Sequence, residues 1–302
     1  MEFFLRLGWL LALLFAGVGL RAVGILTERR RALLTAGAFY VALPALIFSS
    51  TYDQSLDTLL SPALVGGFWL VLTVMALVGY LVHRRLESRA TRSVAIVQSY
   101  HSNLGFLGLP LVAASLGGLA AAKASVVLGA GVLFHVPLTI VILTTINEAG
   151  ADVAAELRTL GRNPVIWSLV VGLAVAAWAW QPPTAMTTAT GAVSELALPV
   201  ALLAVGASLD LTVPETRART TGSVVALNVV VMPLLALAVF STVAVEPSAR
   251  AAAVVMAGAP TAVSTYVYSA ELGGDEQFAS LNVFVTTLVS VPTLFALLWL
   301  VG

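Results

Sequence analysis

The chain of 302 residues contains no cysteine and few charged residues, which make up only 10% of it. The absence of cysteine excludes disulfides, thiolate nucleophiles and cysteine-bound metals. The formal net charge is zero, so no excess of basic residues points to a nucleic acid partner. Hydrophobic residues make up 59% of the chain and the mean hydropathy is +0.99, which leaves too little polar surface for a soluble globular protein. The chain is therefore expected to be an integral membrane protein whose main surroundings are the lipid bilayer.

Long apolar runs predict an all-α polytopic membrane protein with about ten transmembrane helices. Each run has about 20 residues, enough to cross roughly 30 Å of hydrocarbon. Five runs precede a polar linker at 147–162 and five follow it, so we divide the chain into a first repeat at 1–146, the linker, and a second repeat at 163–302. The predicted spans are 3–26, 33–51, 62–82, 92–116, 123–146, 163–181, 189–209, 220–241, 249–271 and 279–301.

Arginines predict the orientation of these spans. Eleven of them lie in the loops after spans one, three, five and seven: Arg29, Arg30, Arg31, Arg84, Arg85, Arg89, Arg92, Arg158, Arg162, Arg217 and Arg219. The positive-inside rule then places the linker in the cytoplasm and both termini outside, in a multi-pass protein of the cytoplasmic (inner) membrane.

The two halves share short pieces of sequence. Span two reads VALPALIFSS around Pro44 and span seven reads LALPVALLAVGAS around Pro199. An odd number of spans in each half means that a repeat relating them must be inverted in the membrane, and inverted repeats are typical of transporters. The alternative is chance recurrence of Leu, Ala, Pro and Gly in an apolar chain.

Span four is interrupted by NLGFLGLP, Asn103 to Pro110, at about mid-membrane. Proline cannot donate a backbone hydrogen bond and glycine tolerates non-helical dihedrals. We therefore predict a helix that ends near Asn103 and restarts near Pro110. Five polar residues within six positions, Gln98 to Asn103, indicate that this part of the span faces protein or a cavity rather than lipid.

Span nine carries a second interruption, GAPTAVSTYVYS, around Gly258 and Pro260. If the two broken helices cross, two positive half-helix ends face one cavity, which favours a carboxylate or similar anion. The alternative is that both prolines only kink packed helices. The residues predicted to bind substrate are Asn103, Gly105, Gly108, Pro110, Gln98, Pro260, Thr261 and Ser264.

Titratable groups are scarce in the middle of the predicted spans. All fifteen acidic residues fall in loops or near span ends, whereas His101 and His135 lie well inside spans. The two histidines are therefore the candidates for proton coupling, with a purely structural role as the alternative for each. No residue pattern predicts a metal site or a cofactor, and an uncoupled carrier that moves anions down the membrane potential is equally compatible with the sequence.

At this point nearly the whole chain resembles the auxin efflux carrier family of the bile acid and arsenite permease superfamily, in a short prokaryotic form. The similar pieces are FYVALPALIF at Phe39 to Phe48, NLGFLGLP, the Asn-Pro pair at Asn163, LPVALLAVGASL at Leu198 to Leu209, and the Ala-Pro pair at Ala259. The resemblance implies two inverted five-helix repeats, crossing of spans four and nine, and an elevator-type secondary transporter of small organic anions such as auxin-like acids or dicarboxylates. It does not extend to an acidic residue in span nine that resembles a sodium ligand of the bile acid symporters.

Two further alternatives stay open. A ligand sensor or interaction module of the same fold competes with the transporter, whereas an enzyme is not expected because no catalytic motif lies at membrane depth. The acidic segment Glu271 to Ser280 is either a solvated turn or a gate that contacts arginines of another inner loop. The sequence leaves open whether the protein forms a homodimer.

The lack of carboxylates in the predicted membrane interior generates a prediction about coupling. Transport of the substrate into proteoliposomes is expected not to require sodium, because no Asp or Glu is placed there to bind it. The measurement is flux in sodium-free and sodium-containing buffers at constant membrane potential. Strict dependence on sodium would contradict the prediction.

Overall fold

The computed structural model describes residues 2–150, 153–208 and 217–302. Positions 151 and 152 of the predicted linker and Leu209 at the end of predicted span seven lie outside this part of the chain. In the described residues all regular structure is helical except one isolated antiparallel β-bridge between Ser102 and Thr261. The prediction of an all-α protein is thus confirmed for them.

The helices are numbered in chain order. Helices α1 to α6 belong to the first half of the chain, and α7 lies inside the predicted linker. The first six are α1 Glu2–Ala22, α2 Glu28–Thr51, α3 Pro62–His83, α4 Arg89–Gln98, α5 Leu104–Leu116 and α6 Gly118–Asn147. The next seven are α7 Val153–Arg162, α8 Pro164–Ala177, α9 Thr184–Ser208, α10 Ala218–Thr242, α11 Pro247–Ala257, α12 Ser264–Glu271 and α13 Glu276–Val301.

Several of these helices have the length and composition of membrane spans. Within the described ranges, six helices are long and apolar enough to cross a bilayer, and the bent pair α7 and α8 makes a seventh if it is counted as one span. The broken pairs α4 with α5 and α11 with α12 coincide with predicted spans four and nine. The chain is a multi-pass membrane protein, although six clear spans are fewer than the ten we predicted.

One acidic residue lies farther from a helix end than the sequence indicated. Because α9 begins at Thr184, Glu195 is near the middle of this helix instead of near its start. Its side chain is exposed and the helix is divided directly after it, between Glu195 and Ala197.

Three helices contain a single widened turn directly before a proline. Each turn is of the π type and ends two residues before the proline: Ala38–Ala42 before Pro44, Leu104–Gly108 before Pro110, and Ala226–Val231 before Pro233. A proline ring collides with the carbonyl four residues earlier in a regular α-helix, and a wider turn relieves that collision. The helix therefore continues through Pro110. Our prediction that it restarts near Pro110 was wrong, since the restart is at Leu104.

The helices pack as two groups. In one group α1 packs against α9, and α2 packs against α8 and α9. In the other group α6 packs against α3, α4, α5 and α11, and α10 and α13 pack beside them. The two broken helices thus belong to the same group, and their breaks face the other one.

Glycine allows direct backbone contact between α1 and α9. A Cβ atom added to Gly206 would collide with the backbone carbonyl of Leu14, and one added to Gly17 would collide with the carbonyl of Leu203. Close approach through small residues is the usual way in which membrane helices gain dispersion contact without a hydrophobic driving force.

This contact predicts the effect of one methyl group. Gly206→Ala should lower the free energy of unfolding by about 1–3 kcal/mol, because the new Cβ forces the two backbones apart. The thermal midpoint of the purified protein should fall accordingly. Gly191→Ala is the control in the same helix, since a Cβ there meets nothing within 4 Å, and it should leave the midpoint unchanged or slightly raised. Equal midpoints for the two variants would contradict this account of the packing.

Candidate functional site

The two helix breaks meet and pair through their backbones. The Asn103 amide donates to the Pro260 carbonyl (2.6 Å), and the Ala262 amide donates to the His101 carbonyl (2.9 Å). Non-helical backbone at membrane depth needs hydrogen-bond partners within the protein, because lipid offers none. Each break supplies them to the other, so the crossing of predicted spans four and nine occurs as expected.

The buried side-chain amide of Gln98 fixes the helices at the crossing. Gln98 Nε2 donates to Thr265 Oγ1 (2.9 Å) and to the Ala279 carbonyl (3.0 Å), while its Oε1 accepts from Asn282 Nδ2 (2.8 Å). Thr261 Oγ1 donates to the Gln98 carbonyl (2.9 Å). Gln98 and Thr261 were predicted to bind substrate, but the structure gives both side chains protein partners.

Asn103 uses only one side of its amide. Its Oδ1 accepts from the Phe106 backbone amide (3.1 Å) and so caps the N-terminus of α5. Its Nδ2 is buried and has no hydrogen-bond partner among the described residues. A buried donor without a partner costs about 1–3 kcal/mol, which makes this nitrogen the clearest sign of a missing acceptor.

A cavity of about 150 Å³ lies beside the crossing, between α2 and α8 of one group and the broken helices of the other. None of the described residues that line it is Asp, Glu, Lys or Arg, so any charge in the cavity comes from its occupant or from histidine. The lining residues are Phe39, Leu43, His101, Ser102, Asn103, Leu104, Gly105, Phe106, Leu128, Val132, His135, Val136, Asn163, Val165, Ala262, Ser264 and Tyr268.

Three of the eight residues predicted to bind substrate line this cavity, namely Asn103, Gly105 and Ser264. Pro260 takes part in the crossing through its carbonyl. Gly108 and Pro110 are buried within α5, and a Cβ on Gly108 would lie 2.8 Å from Met256 Sδ. Gly108 therefore lets α5 pack closely on α11.

Both predicted proton-coupling histidines also line the cavity. Their rings stack with centroids 4.4 Å apart. Thr139 Oγ1 lies 2.8 Å from His101 Nδ1 and 3.1 Å from the Tyr100 hydroxyl, so one hydroxyl orients two rings. His135 Nε2 is buried and pairs with none of the residues that the structure describes.

Sequence reasoning missed Tyr268, Thr139 and Asn282. Thr139 and Asn282 are single polar residues inside apolar runs, and each was a usable signal because isolated polar side chains in spans are rarely left facing lipid. Tyr268 had no such signal, since tyrosine is common near span ends.

Between α1, α5, α9 and α13 lies a cleft of only about 20 Å³, and all its described lining residues are apolar. The residues are Leu10, Leu14, Leu107, Leu111, Leu198, Leu202, Val291, Leu294 and Phe295. The cavity itself reaches Asn163, which caps the linker end of α8 through the Val165 amide.

The acidic segment between α12 and α13 does contact an arginine. Asp275 pairs with Arg217 at the start of α10, accepts from Thr91 Oγ1 of α4 (2.9 Å), and caps α13 at the Phe278 amide (3.0 Å). Asp275 is therefore not part of a freely solvated turn. All the helices that it joins belong to the same group, so this contact holds that group together.

Comparison with known proteins agrees with this architecture. Residues 9–298 match the family described as membrane transport proteins. The chain belongs to that family. The resemblance to the auxin efflux carriers is thereby confirmed, and the family is one of transporters rather than enzymes.

Two relatives of this transporter are similar over most of their length. A Rhizobium meliloti (strain 1021) protein named "Putative malonate transporter" is 29% identical over 273 residues, which cover 87% of this chain and 84% of the relative. An "Uncharacterized transporter" of Methanothermobacter thermautotrophicus is 25% identical over 293 residues, covering 94% and 93%.

The Gln98 network predicts a large loss of stability for one substitution. Gln98→Leu should destabilise the protein by about 2–4 kcal/mol, because Asn282 and the Ala279 carbonyl lose their partners in a buried place. Ser99→Ala, which removes only a local bond to the Ala95 carbonyl, should cost less than about 1 kcal/mol. Thermal unfolding in detergent measures both, and a Gln98→Leu midpoint equal to that of Ser99→Ala would refute the role of the network.

Proposed function

We propose that this transporter carries small organic anions and that Asn103 Nδ2 binds a carboxylate of the substrate. The observation that supports this most directly is that Asn103 lines the cavity and that its buried amide nitrogen lacks an acceptor in the described structure. An ionised carboxylate has hydrogen-bond acceptors and no donor, so it complements an N–H donor without a partner.

The N-terminus of α12 also favours an anionic substrate. The helix begins at Ser264, and its N-cap residue Val263 provides no side-chain hydrogen bond. The first amides of a helix have no intrahelical partners and carry the positive end of the helix dipole. The Thr265 and Tyr266 amides already donate to the carbonyls of Ala262 and Val263, whereas the Ser264 amide has no backbone partner among the described residues. Ser264 lines the cavity, so an anion there would lie near the Ser264 amide as well as near Asn103. The corresponding end of α5 is capped by Asn103 itself.

The size of the cavity favours a compact substrate. A short dicarboxylate is smaller than an auxin-like aromatic acid, so it fits more easily into a cavity of about 150 Å³. The Rhizobium meliloti relative bears a name that refers to malonate. We therefore propose a short dicarboxylate such as malonate as the first substrate to test, with auxin-like acids as the second class.

The two helix groups support an elevator-type movement. The group that holds both breaks, α3 to α6 and α10 to α13, would slide against α1, α2, α8 and α9 and carry the anion past the apolar contact made by residues such as Leu107 and Leu198. In this proposal the chain forms two inverted repeats of five spans, 1–146 and 163–302, joined by the linker 147–162. Prolines in the interior of both α6 (Pro137) and α13 (Pro292), the last helix of each half, support such a repeat.

The remaining parts of the proposal follow from the sequence. The protein lies in the inner membrane with both termini outside, and it works as a uniporter or with proton coupling through His101 or His135. A homodimer stays a prediction, and light scattering of the purified protein in detergent tests it. A sensor of the same fold is the second candidate function, and it would bind the anion without moving it.

One substitution tests the binding role of Asn103 while it keeps the cap of α5. Asn103→Asp keeps an oxygen to accept from the Phe106 amide but removes the amide donor, so flux of labelled malonate per folded protein in proteoliposomes should fall by about tenfold or more. The buried carboxylate also lowers the thermal midpoint, so flux is measured well below that midpoint. Asn103→Ala removes cap and donor, and it should lower both flux and midpoint.

Ser88→Ala is the matched control, because it removes the N-cap of α4 outside the cavity. It should lower the midpoint and leave flux intact. Undiminished flux in Asn103→Asp would overturn the assignment of the site. Binding of malonate by wild-type protein without any flux would favour the sensor instead.

A further inference from the structure

His135 offers a second unpartnered group to the same cavity. Its Nε2 is buried and has no partner in the described part of the chain, and the residue lines the cavity. Because it has no partner, Nε2 is the ring nitrogen left to take up a proton. In the neutral ring with the proton on Nδ1, Nε2 carries a lone pair.

A lone pair on Nε2 does not complement a carboxylate oxygen, which is also an acceptor. A protonated Nε2 does, because it donates a hydrogen bond. Once Nε2 is protonated, the imidazolium carries a positive charge and a donor toward the cavity. An anion held only by dipoles and one amide in an apolar cavity keeps a large desolvation cost, which an adjacent positive charge reduces. The anion and the proton would therefore each strengthen the binding of the other.

Within the part of the chain that the structure describes, no fixed charge near His135 would compete for this role. The titratable groups that face it are His101, which stacks on it, and Tyr100, whose ring centroid is 5.9 Å away. From α12, Tyr268 contacts His101 with centroids 6.4 Å apart, while α2 and α8 contribute no titratable side chain to the described lining. His101 differs from His135 because Thr139 engages its Nδ1.

Two carboxylates act on Tyr268, which lines the cavity. Tyr268 interacts electrostatically with Glu156 of α7 and with Glu271 at the end of α12. Glu271 is exposed and Glu156 partly so, and neither residue lines the cavity.

We propose that His135 Nε2 takes up one proton with each anion that binds and releases it with the anion, so that the protein is a proton–anion symporter. The inference rests on the proposed function, since it assumes that the cavity binds an organic anion. A dianion that moves with one proton transfers a single net negative charge.

The test uses the pH dependence of malonate affinity. Calorimetric titration of the purified protein is carried out at pH values above the range in which an ordinary imidazole titrates, where malonate is fully ionised. Wild-type affinity should rise by up to about tenfold for each unit of decrease in pH, because one proton is bound with the ligand. In His135→Gln this slope should vanish.

His83→Gln provides the matched control, because the chain has three histidines and His83 is bonded to Gly79 and Ser223 outside the cavity. It should keep the wild-type slope. If His135→Gln does not fold, the double variant His83→Gln/His101→Gln leaves His135 as the only histidine and should still show the slope.

The outcomes are distinct. A pH-independent wild-type affinity, a slope that persists in His135→Gln, or a slope lost in the double variant would each overturn the proton site while leaving anion transport standing. Absence of malonate binding and flux at every pH, with binding of no other small dicarboxylate or auxin-like acid, would instead remove the proposed function on which the inference rests.

Discussion

The backbone pairing between the two helix breaks is the contact on which the rest of the structure depends. In the interior of a membrane protein an open helix end must find hydrogen-bond partners within the chain, and here the segments around Asn103 and Pro260 provide them for each other. Because the pairing occupies the backbone, side chains and helix ends remain to face the cavity. The Gln98 network and the Asp275 contacts then fix the helices on either side of the pairing.

In the proposed function, an anion binds in a cavity whose described lining has no lysine or arginine. The attraction would come from oriented N–H groups, which act strongly where water is scarce. Such groups are held in place by folding before the ligand arrives, so binding would need little reorganisation of the protein. A lysine or arginine at the same depth would keep its charge and slow release of the anion, whereas the proposed imidazolium of His135 loses its charge together with the proton.

The sequence predicted the breaks and their crossing because both depend on local features, the glycines, the prolines and the polar cluster beside Asn103. It did not predict where the second half-helix starts, because a capping side chain outweighed the proline. The Asn103 oxygen stabilises a helix from Leu104, and a widened turn accommodates Pro110. Tyr268 was missed because its role depends on which helices become neighbours, and nothing in its own segment encodes that, whereas Thr139 carried a local signal as a polar residue inside an apolar run.

Asn103 has a consequence for how this transporter can change its substrate. Its oxygen caps α5, and its buried nitrogen has no partner among the described residues. Asparagine is the shortest side chain that accepts with one atom and donates with the other. Serine, aspartate and threonine each cap a helix well, but none leaves an N–H group free. If the nitrogen binds the ligand as proposed, selection for a new ligand has little freedom at this position and must act on other lining residues such as Phe39, Val132 and Tyr268. One residue would then fix both the fold of a helix end and the chemical class of ligand, while the rest of the cavity wall sets its shape.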